Sequence, residues 1–181
     1  MKRQKLSIKN IVSKYIEDFE ANNFHNSNAI ATLDSLIRID PKKAWRIIIN
    51  LTKSTSNESL LAFIAAGPIE DLLVRHPEMI DQIEHDALKN MKVCEILDCV
   101  WKNKMSNETW EKLQRILDKH WEKQNLEMQN MLKKHGYDVE DNGRIGPKTM
   151  KAINQLRNKT GLYLKSVEEI IEQLKKMDNN L

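Results

Sequence analysis

Apolar residues recur along this chain at intervals of three and four positions, which is the spacing that one face of an α-helix requires. Alternating runs of β-branched residues bounded by turns, which would predict strands, do not occur in the sequence. The pattern therefore predicts an all-α fold. The clearest apolar stripes are Ala44, Ile47, Ile48 and Leu51; Leu60, Leu61, Ile64 and Ala65; Ile80, Ile83, Ala87 and Leu88; and Trp110, Leu113, Leu117 and Trp121.

Capping residues mark where several of these helices begin or end. Asp40 followed by Pro41 is typical of an N-cap with proline at the first helical position. Ser166 and Glu169 have the spacing of a capping box ahead of the last apolar stripe. At Gly67-Pro68 we expect one helix to end and the next to begin, because a Gly-Pro pair typically separates two helices.

A long helix is predicted in the second half of the chain. The apolar stripe continues from Trp110 to His135 without a linker rich in Pro, Gly or Ser. One helix of roughly 28 residues, ~42 Å long, would fit this stripe, and the alternative is a break near residues 124–125. We expect a helical bundle at residues 1–120, joined by the long helix to a small three-helix module at residues 125–178.

Composition and charge restrict the classes of partner. The net charge is +3, charged residues make up 30% of the chain, and the two signs are interspersed. No stripe of Lys and Arg interleaved with aromatics predicts nucleic-acid binding. No apolar run approaches the ~18 residues that span a membrane, and Lys9 and Lys14 interrupt the only segment that resembles a secretory signal. We therefore expect a cytoplasmic protein that binds neither nucleic acid nor membrane.

A possible N-terminal site comprises Glu70, Asp71 and His76, which follow the predicted turn at Gly67-Pro68. Two carboxylates and an imidazole would form a site if the fold brought them together. Acidic residues in a first helical turn also interact favourably with the helix dipole, so capping explains the same residues without any chemistry. Both interpretations stay open at this stage.

The sequence assigns no catalytic residue, no metal ligand and no cofactor. Asp81, Glu84 and His85 are spaced to share one helix face, but charged helix faces often produce such sets. Cys94 and Cys99 would point about 140° apart on a helix, so we expect two reduced thiols. Phosphate-binding glycine loops and nucleophile elbows are absent from the sequence. We therefore favour a protein without enzymatic activity.

Glycine usage distinguishes the C-terminal region from the rest of the chain. Four of the five glycines lie between residues 136 and 161, which indicates specified turns. A helix containing Gln129 is predicted to end at Gly136-Tyr137, a loop follows, and the next helix opens near Thr149. Gly136 suits a helix C-cap, and Asn142-Gly143 is a turn dipeptide. The fold would therefore need these residues even without a ligand.

This arrangement resembles the small peptidoglycan-binding helical repeat, in which a loop with two glycines follows a Gly-Tyr helix end. The resemblance implies a three-helix fold and a loop that faces the ligand. The residues that it places at that loop are Tyr137, Asn142, Gly143, Arg144 and Thr149. One departure from the repeat is Leu156-Arg157, where the second helix usually ends in Phe-Gln, and this departure bears on glycan binding more than on the fold.

The N-terminal region carries a second resemblance. An Ala-Gly-Pro-Ile-Glu-Asp-Leu-Leu core at residues 66–73 is followed by Val100-Trp101 and then by Trp110. Over roughly residues 41–115 this pattern is similar to a small bacterial helical domain of unknown function. The resemblance implies a common fold and assigns no chemistry.

Two functions of different classes follow from these patterns. The first is a non-catalytic binding or adaptor protein whose C-terminal module contacts a peptidoglycan fragment. The alternative is a cytosolic interaction factor, such as an immunity or anti-defence inhibitor, that uses the same module to bind a protein partner. A third possibility is a small cell-wall hydrolase, although residues 1–120 contain neither a Glu-Gly-Gly motif nor a His-x-x-x-Asp motif.

Overall fold

The all-α prediction is confirmed by a computed structural model that describes residues 7–178, within which no strand occurs. The helices are α1 (Ile8–Glu20), α2 (Asn28–Ile39), α3 (Pro41–Ser54), α4 (Glu58–Ile64), α5 (Glu70–Arg75), α6 (Ile80–Ala87), α7 (Met91–Asp98), α8 (Asn107–Lys134), α9 (Pro147–Thr160) and α10 (Val167–Asp178). None of the helices in residues 7–178 has the length and apolarity that crossing a bilayer demands.

The chain divides into two compact units between Leu117 and Asp118. The division falls within α8, a helix of 28 residues. The helix therefore continues through residues 124–125, where the sequence left a break open. The predicted division into a helical bundle at residues 1–120 and a peptidoglycan-binding-like module at residues 125–178 stays a prediction.

Side-chain caps begin several helices of the N-terminal unit, as their sequences suggest. The Asp40 carboxylate accepts a hydrogen bond from the Lys43 backbone N–H at 3.1 Å, and Pro41 occupies the first turn. Asn57 caps α4 in the same way through the Leu60 N–H at 3.2 Å. Each cap satisfies a backbone donor that has no partner within the helix.

The core of the N-terminal unit lies between α1, α2 and α3 and extends to α5, α6 and α7. Its fully buried side chains include Ile11, Leu33, Ile47, Ile48, Leu51, Leu60, Ile64 and Leu72. Trp45 on α3 is only 2% exposed, and its indole N–H donates to Asp86 Oδ2 on α6 at 2.8 Å. That bond satisfies the polar group of a buried aromatic side chain and connects two helices that are distant in the sequence.

The prediction that a helix ends at Gly67-Pro68 is wrong. The backbone continues from α4 into α5 through a π-helical turn at Ala65–Ile69, with Pro68 inside it. Proline cannot donate to a helical ladder and its ring clashes with an earlier carbonyl. A π-helical turn is wider than an α-helical turn, so it accommodates Pro68 without ending the helix. Ala65 and Ile69 are both fully buried, so packing of the apolar face keeps this segment helical.

A buried carboxylate connects the end of α1 to the start of α2. Asp18 is 3% exposed and lies 3.1 Å from the Lys14 ammonium. The Ser27 hydroxyl donates a hydrogen bond to Asp18, which lowers the pKa of this carboxyl; Lys14 and Asn23 act in the same direction, and burial opposes them. Ser27 also accepts the Ile30 N–H at 3.1 Å as the cap of α2.

Replacing Asp18 with asparagine is expected to reduce the acid sensitivity of the N-terminal unit. Because the folded-state pKa is lowered, the carboxylate stabilises the fold above its unfolded pKa of about 4. This contribution is lost as the pH falls through the folded-state pKa. Urea unfolding of both chains from neutral to acidic pH should give a stability difference that shrinks on acidification. Asp98→Asn, at an exposed position, is the control, and an equal difference for Asp18→Asn at every pH would contradict the prediction.

The C-terminal unit has its own core, formed by α9, α10 and the part of α8 that follows Asp118. Its buried members are Met128, Leu132, Val139, Ala152, Ile153, Leu156, Leu164, Ile170, Ile171 and Leu174. At the surface, Lys134 on α8 pairs with Asp178 on α10 at 2.8 Å, and Lys175 pairs with Glu127 at 3.1 Å. The apolar core, and not these exposed ion pairs, provides most of the stability of the unit.

Candidate functional site

Gln129 organises the loop between α8 and α9. Its side chain is completely buried. The amide nitrogen donates to the Arg144 carbonyl at 2.8 Å and to the Thr149 hydroxyl at 3.0 Å. The amide oxygen accepts the Gly143 N–H at 2.8 Å. One side chain on α8 therefore fixes both the turn of the loop and the first turn of α9.

Gly143 lies directly against the backbone of α8. Its φ is +70°, a left-handed conformation that glycine adopts readily. A Cβ atom at this position would lie 2.6 Å from Glu122 Cγ and 2.8 Å from the Glu122 carbonyl oxygen. Glycine is therefore required at residue 143 for two reasons, its positive φ and the lack of space for a Cβ atom. The loop lies directly against α8 at this point.

The neighbouring polar residues complete the turn and face solvent. The Asn142 side-chain oxygen accepts the Arg144 N–H at 2.9 Å, and its nitrogen donates to Glu140 Oε2 at 3.1 Å. This local bond is the one expected of asparagine in a tight turn. The side chains of Asn142, Arg144 and Ile145 are all exposed. The loop is thus rigid in its backbone and accessible in its side chains.

A cleft of about 480 Å³ lies between this loop and the adjoining part of α8. Its lining consists of Asp118, Trp121, Glu122, Asn125, Gly143, Arg144 and Ile145. Trp121 is partly buried, and its ring makes a T-shaped contact with the His120 ring, with the centroids 5.3 Å apart. The cleft is therefore lined by an indole, two carboxylates, an amide and a guanidinium.

The five residues that the resemblance placed at the loop have two different roles. Gly143 and Thr149 are buried and bonded to Gln129. Tyr137 packs against the apolar core, and its hydroxyl is buried. Only Asn142 and Arg144 present exposed side chains. Of the predicted ligand-facing set, these two are accessible, and the other three hold the fold.

Sequence reasoning missed the residues that α8 contributes to the cleft. Asp118, Trp121 and Asn125 lie about twenty residues before the loop, and the apolar stripe assigned Trp121 to the core. The spacing of Trp121 and Asn125, four positions apart on a helix, places them on one face. This spacing is the feature of the sequence that indicates that the Trp121 and Asn125 side chains lie on the same face of α8.

Arg157, which departs from the repeat pattern, has a structural role. Its Nε atom donates to the Leu164 carbonyl at 2.9 Å, and a terminal nitrogen donates to Asn154 Oδ1 at 3.2 Å. The guanidinium thereby closes the turn between α9 and α10. It also lies 5.7 Å from the ring of Tyr163, which is 79% exposed.

The three residues of the possible N-terminal site have different environments. Glu70 is 5% exposed and accepts hydrogen bonds from the Trp101 backbone and the Asn103 side chain. His76 lies 3.2 Å from Glu78. Asp71 is exposed, and its charge raises the pKa of Asp34 in addition to the larger effect of burial. Glu70 is therefore a structural carboxylate that binds a distant loop.

Two of the residues considered for a metal site have other partners. Asp81 lies 3.6 Å from the Lys112 ammonium, and His85 lies 3.3 Å from Asp86. Within residues 7–178, no group of three potential ligands converges. Cys94 and Cys99 are both free thiols, and burial raises the pKa of each, which disfavours the reactive thiolate.

Comparison with known proteins gives one match. The model of a family of unknown function, DUF6869, matches residues 17–121, which is wider than the segment 41–115 that the sequence pattern suggested. No curated protein and no solved structure matches the chain. The matched segment covers α2 to α7 and parts of α1 and α8.

Proposed function

We propose that this chain, a member of the DUF6869 family of unknown function, is a non-catalytic binding protein whose C-terminal unit binds peptidoglycan fragments. Family membership assigns neither a reaction nor a ligand. The proposal is supported by the cleft beside Gly143, in which Trp121 and Arg144 line the same surface. The proposal also uses the interpretation of residues 129–162 as a peptidoglycan-binding repeat, which stays a prediction from the sequence.

The cleft has the chemical groups that a muropeptide requires. The face of an indole packs well against the C–H face of a sugar ring, while carboxylates and amides accept and donate hydrogen bonds to sugar hydroxyls. Trp121 is the aromatic residue that lines the cleft, and Asp118, Glu122 and Asn125 line it as well. These groups are arranged along two turns of one helix, so the helix fixes their spacing before a ligand arrives.

Arg144 extends recognition to the peptide part of the ligand. A guanidinium binds carboxylates with two parallel hydrogen bonds, and muropeptides carry several carboxylates on their stem peptides. The Arg144 backbone is fixed on both sides, by Gln129 at its carbonyl and by Asn142 at its N–H. Its exposed side chain can therefore move while its attachment point stays in place.

The proposal includes the expected cytoplasmic location, which determines the form of the ligand that the protein would meet. In the cytoplasm, the ligand would be a soluble muropeptide or a lipid-free wall precursor and not the assembled wall. Binding to soluble fragments and binding to insoluble sacculi are therefore measured separately.

Trp121→Ala and Arg144→Ala are each expected to weaken muropeptide binding by about tenfold, since a stacked ring or a charge-assisted bond contributes on the order of 1.4 kcal/mol. Tyr163→Ala removes an exposed aromatic of the same unit away from the cleft, and Lys151→Ala removes an exposed cation of α9. Both control chains should bind as the original chain does. Isothermal titration with purified muropeptides, together with sedimentation on sacculi, provides the measurement.

The same samples separate binding from hydrolysis. Soluble products are assayed after the sacculi have been pelleted, and no released fragments are expected. Release of muropeptides by the original chain would contradict the non-catalytic part of the proposal. Absence of binding to both fragments and sacculi would overturn the proposal as a whole.

A further inference from the structure

Trp101 is the most exposed tryptophan of the chain, with 75% of its surface accessible. It lies in the connection between α7 and α8, within the N-terminal unit. A single exposed apolar side chain is common on protein surfaces. Trp101 differs from that ordinary case because its backbone is held by a buried charged group.

Glu70 uses both carboxylate oxygens to hold the connection. Oε1 accepts the Trp101 backbone N–H at 2.9 Å, and Oε2 accepts the Asn103 side-chain amide at 3.1 Å. Glu70 is the first residue of α5 and directly follows the π-helical turn. Hydrogen bonds to a carboxylate are stronger than those to a neutral acceptor, so residues 101 and 103 are firmly fixed to α5.

The two ends of the connection are anchored in the apolar core. Val100 is 4% exposed and Met105 is 5% exposed. Between them, Trp101, Lys102, Asn103 and Lys104 are all exposed, and Asn103 adopts a φ of +40°. Residues 101–104 thus form a short tip with a defined backbone. A tip that is ordered in advance loses little conformational entropy when a partner binds.

The tip carries positive charge beside the indole. Lys102 donates to the neutral Asn107 side chain at 2.6 Å. Across the part of the chain that the structure describes, no ion pair involves Lys102 or Lys104. The tip therefore presents one large aromatic ring and two exposed ammonium groups that take part in no ion pair among the described residues.

We propose that residues 101–104 form a docking site for an acidic segment of a partner protein. The indole enters an apolar depression on the partner, and Lys102 and Lys104 pair with carboxylates around it. Tryptophan is enriched among the residues that contribute most of the binding energy in protein interfaces, and complementary charge around it provides specificity and speed of association. This interaction lies in the family-matched N-terminal unit and is separate from the cleft at Gly143.

Charge favours a protein partner over the other anionic partners. Affinity for nucleic acid depends on the number of phosphates neutralised, and two lysines neutralise few. Attraction of two lysines to an anionic membrane amounts to about 2 kcal/mol, which is too little for stable attachment. An acidic protein segment can pair with both cations and also enclose the indole in a pocket, where a tryptophan contributes most to binding.

The test uses peptides as a defined probe. A library of random peptides displayed on phage is selected on the full-length chain after removal of binders to the Trp101→Ala chain. We expect the selected peptides to contain several Asp or Glu residues together with apolar residues. Synthetic copies should lose at least about tenfold in affinity with Trp101→Ala and with the double variant Lys102→Glu, Lys104→Glu. Leu88→Ala, at another exposed apolar position, is the control and should bind normally.

Asn103→Gly tests whether the fixed backbone matters. Glycine adopts the positive φ of residue 103 easily, but it cannot bond to Glu70. The loss of this bond should lower the thermal midpoint, so peptide affinity is measured well below the midpoint, where the variant is still folded. It should fall severalfold there, which a purely structural role of Asn103 would not produce. A selection that yields no peptides, yields peptides without acidic residues, or yields peptides that bind Trp101→Ala equally well would overturn the proposal. Equal or tighter binding of an oligothymidine or of phosphatidylserine vesicles through Trp101 would overturn it as well.

Discussion

Alanine at residue 143 is expected to destabilise the C-terminal unit by about 4 kcal/mol, which combines left-handed strain with overpacking. The added Cβ would meet the Glu122 side chain at 2.6 Å and the Glu122 carbonyl oxygen at 2.8 Å. A side chain can rotate away from such a contact, but a helix carbonyl cannot, because it belongs to the ladder of α8. The loop would therefore have to leave the helix, and its bonds to Gln129 would be lost.

Two other glycines provide matched controls for this substitution. Gly136 and Gly161 also have positive φ values, +83° and +68°, yet a Cβ at either position would meet no atom within 4 Å. Alanine at these positions is expected to cost only the left-handed strain, roughly 1–2 kcal/mol. The difference between Gly143→Ala and the two controls isolates the close approach to α8. Urea unfolding of the full chain, with amide hydrogen exchange of α9 and α10, measures this difference in the free energy of unfolding. An equal loss of stability at all three positions would refute the packing argument.

Gln129→Leu is expected to destabilise the same unit by about 3 kcal/mol, since it leaves several inward-facing polar groups unpaired. Leucine fills nearly the same volume, so the loss comes from hydrogen bonding and not from a cavity. The groups left without a partner are the Gly143 N–H, the Arg144 carbonyl and the Thr149 hydroxyl. The loop should then exchange its amide hydrogens faster than α9 does.

Gln155→Leu is the control for Gln129→Leu, because it makes the same chemical change at an exposed position of α9. It should alter the unfolding free energy by less than about 0.5 kcal/mol. Thr149→Val removes only one of the three bonds and should fall between the two, at about 1 kcal/mol. If Gln129→Leu proved as stable as Gln155→Leu, the role of Gln129 in holding the loop would be disproved.

Features determined by neighbouring residues could be predicted from the sequence. The apolar stripe from Trp110 to His135 predicts α8, and the Asp40-Pro41 pair predicts the start of α3; both are observed. The stop at Gly67-Pro68 was predicted from the same kind of local rule and is wrong. Burial of Ala65 and Ile69 outweighs the local preference of Gly-Pro there.

The candidate sites could be predicted only in part, because they depend on contacts between distant residues. The turn at Asn142-Gly143 follows from the dipeptide itself. The wall that Trp121 adds to the cleft depends on how the loop folds back onto α8. The bond from Glu70 to the Trp101 backbone crosses 31 residues, and no local pattern indicates which of the 26 acidic residues makes it.

The continuity of α8 also determines where this chain can be cut. A protease needs an extended stretch of backbone, and the boundary between Leu117 and Asp118 lies inside a helix. Limited proteolysis should therefore cleave elsewhere before it cleaves there. A gene fragment that stops where the family match stops, at Trp121, would end the chain within the helix. The four carbonyls before that end would lose their intrahelical donors. A fragment designed to produce either unit alone should therefore begin or end outside residues 107–134, so that α8 stays whole.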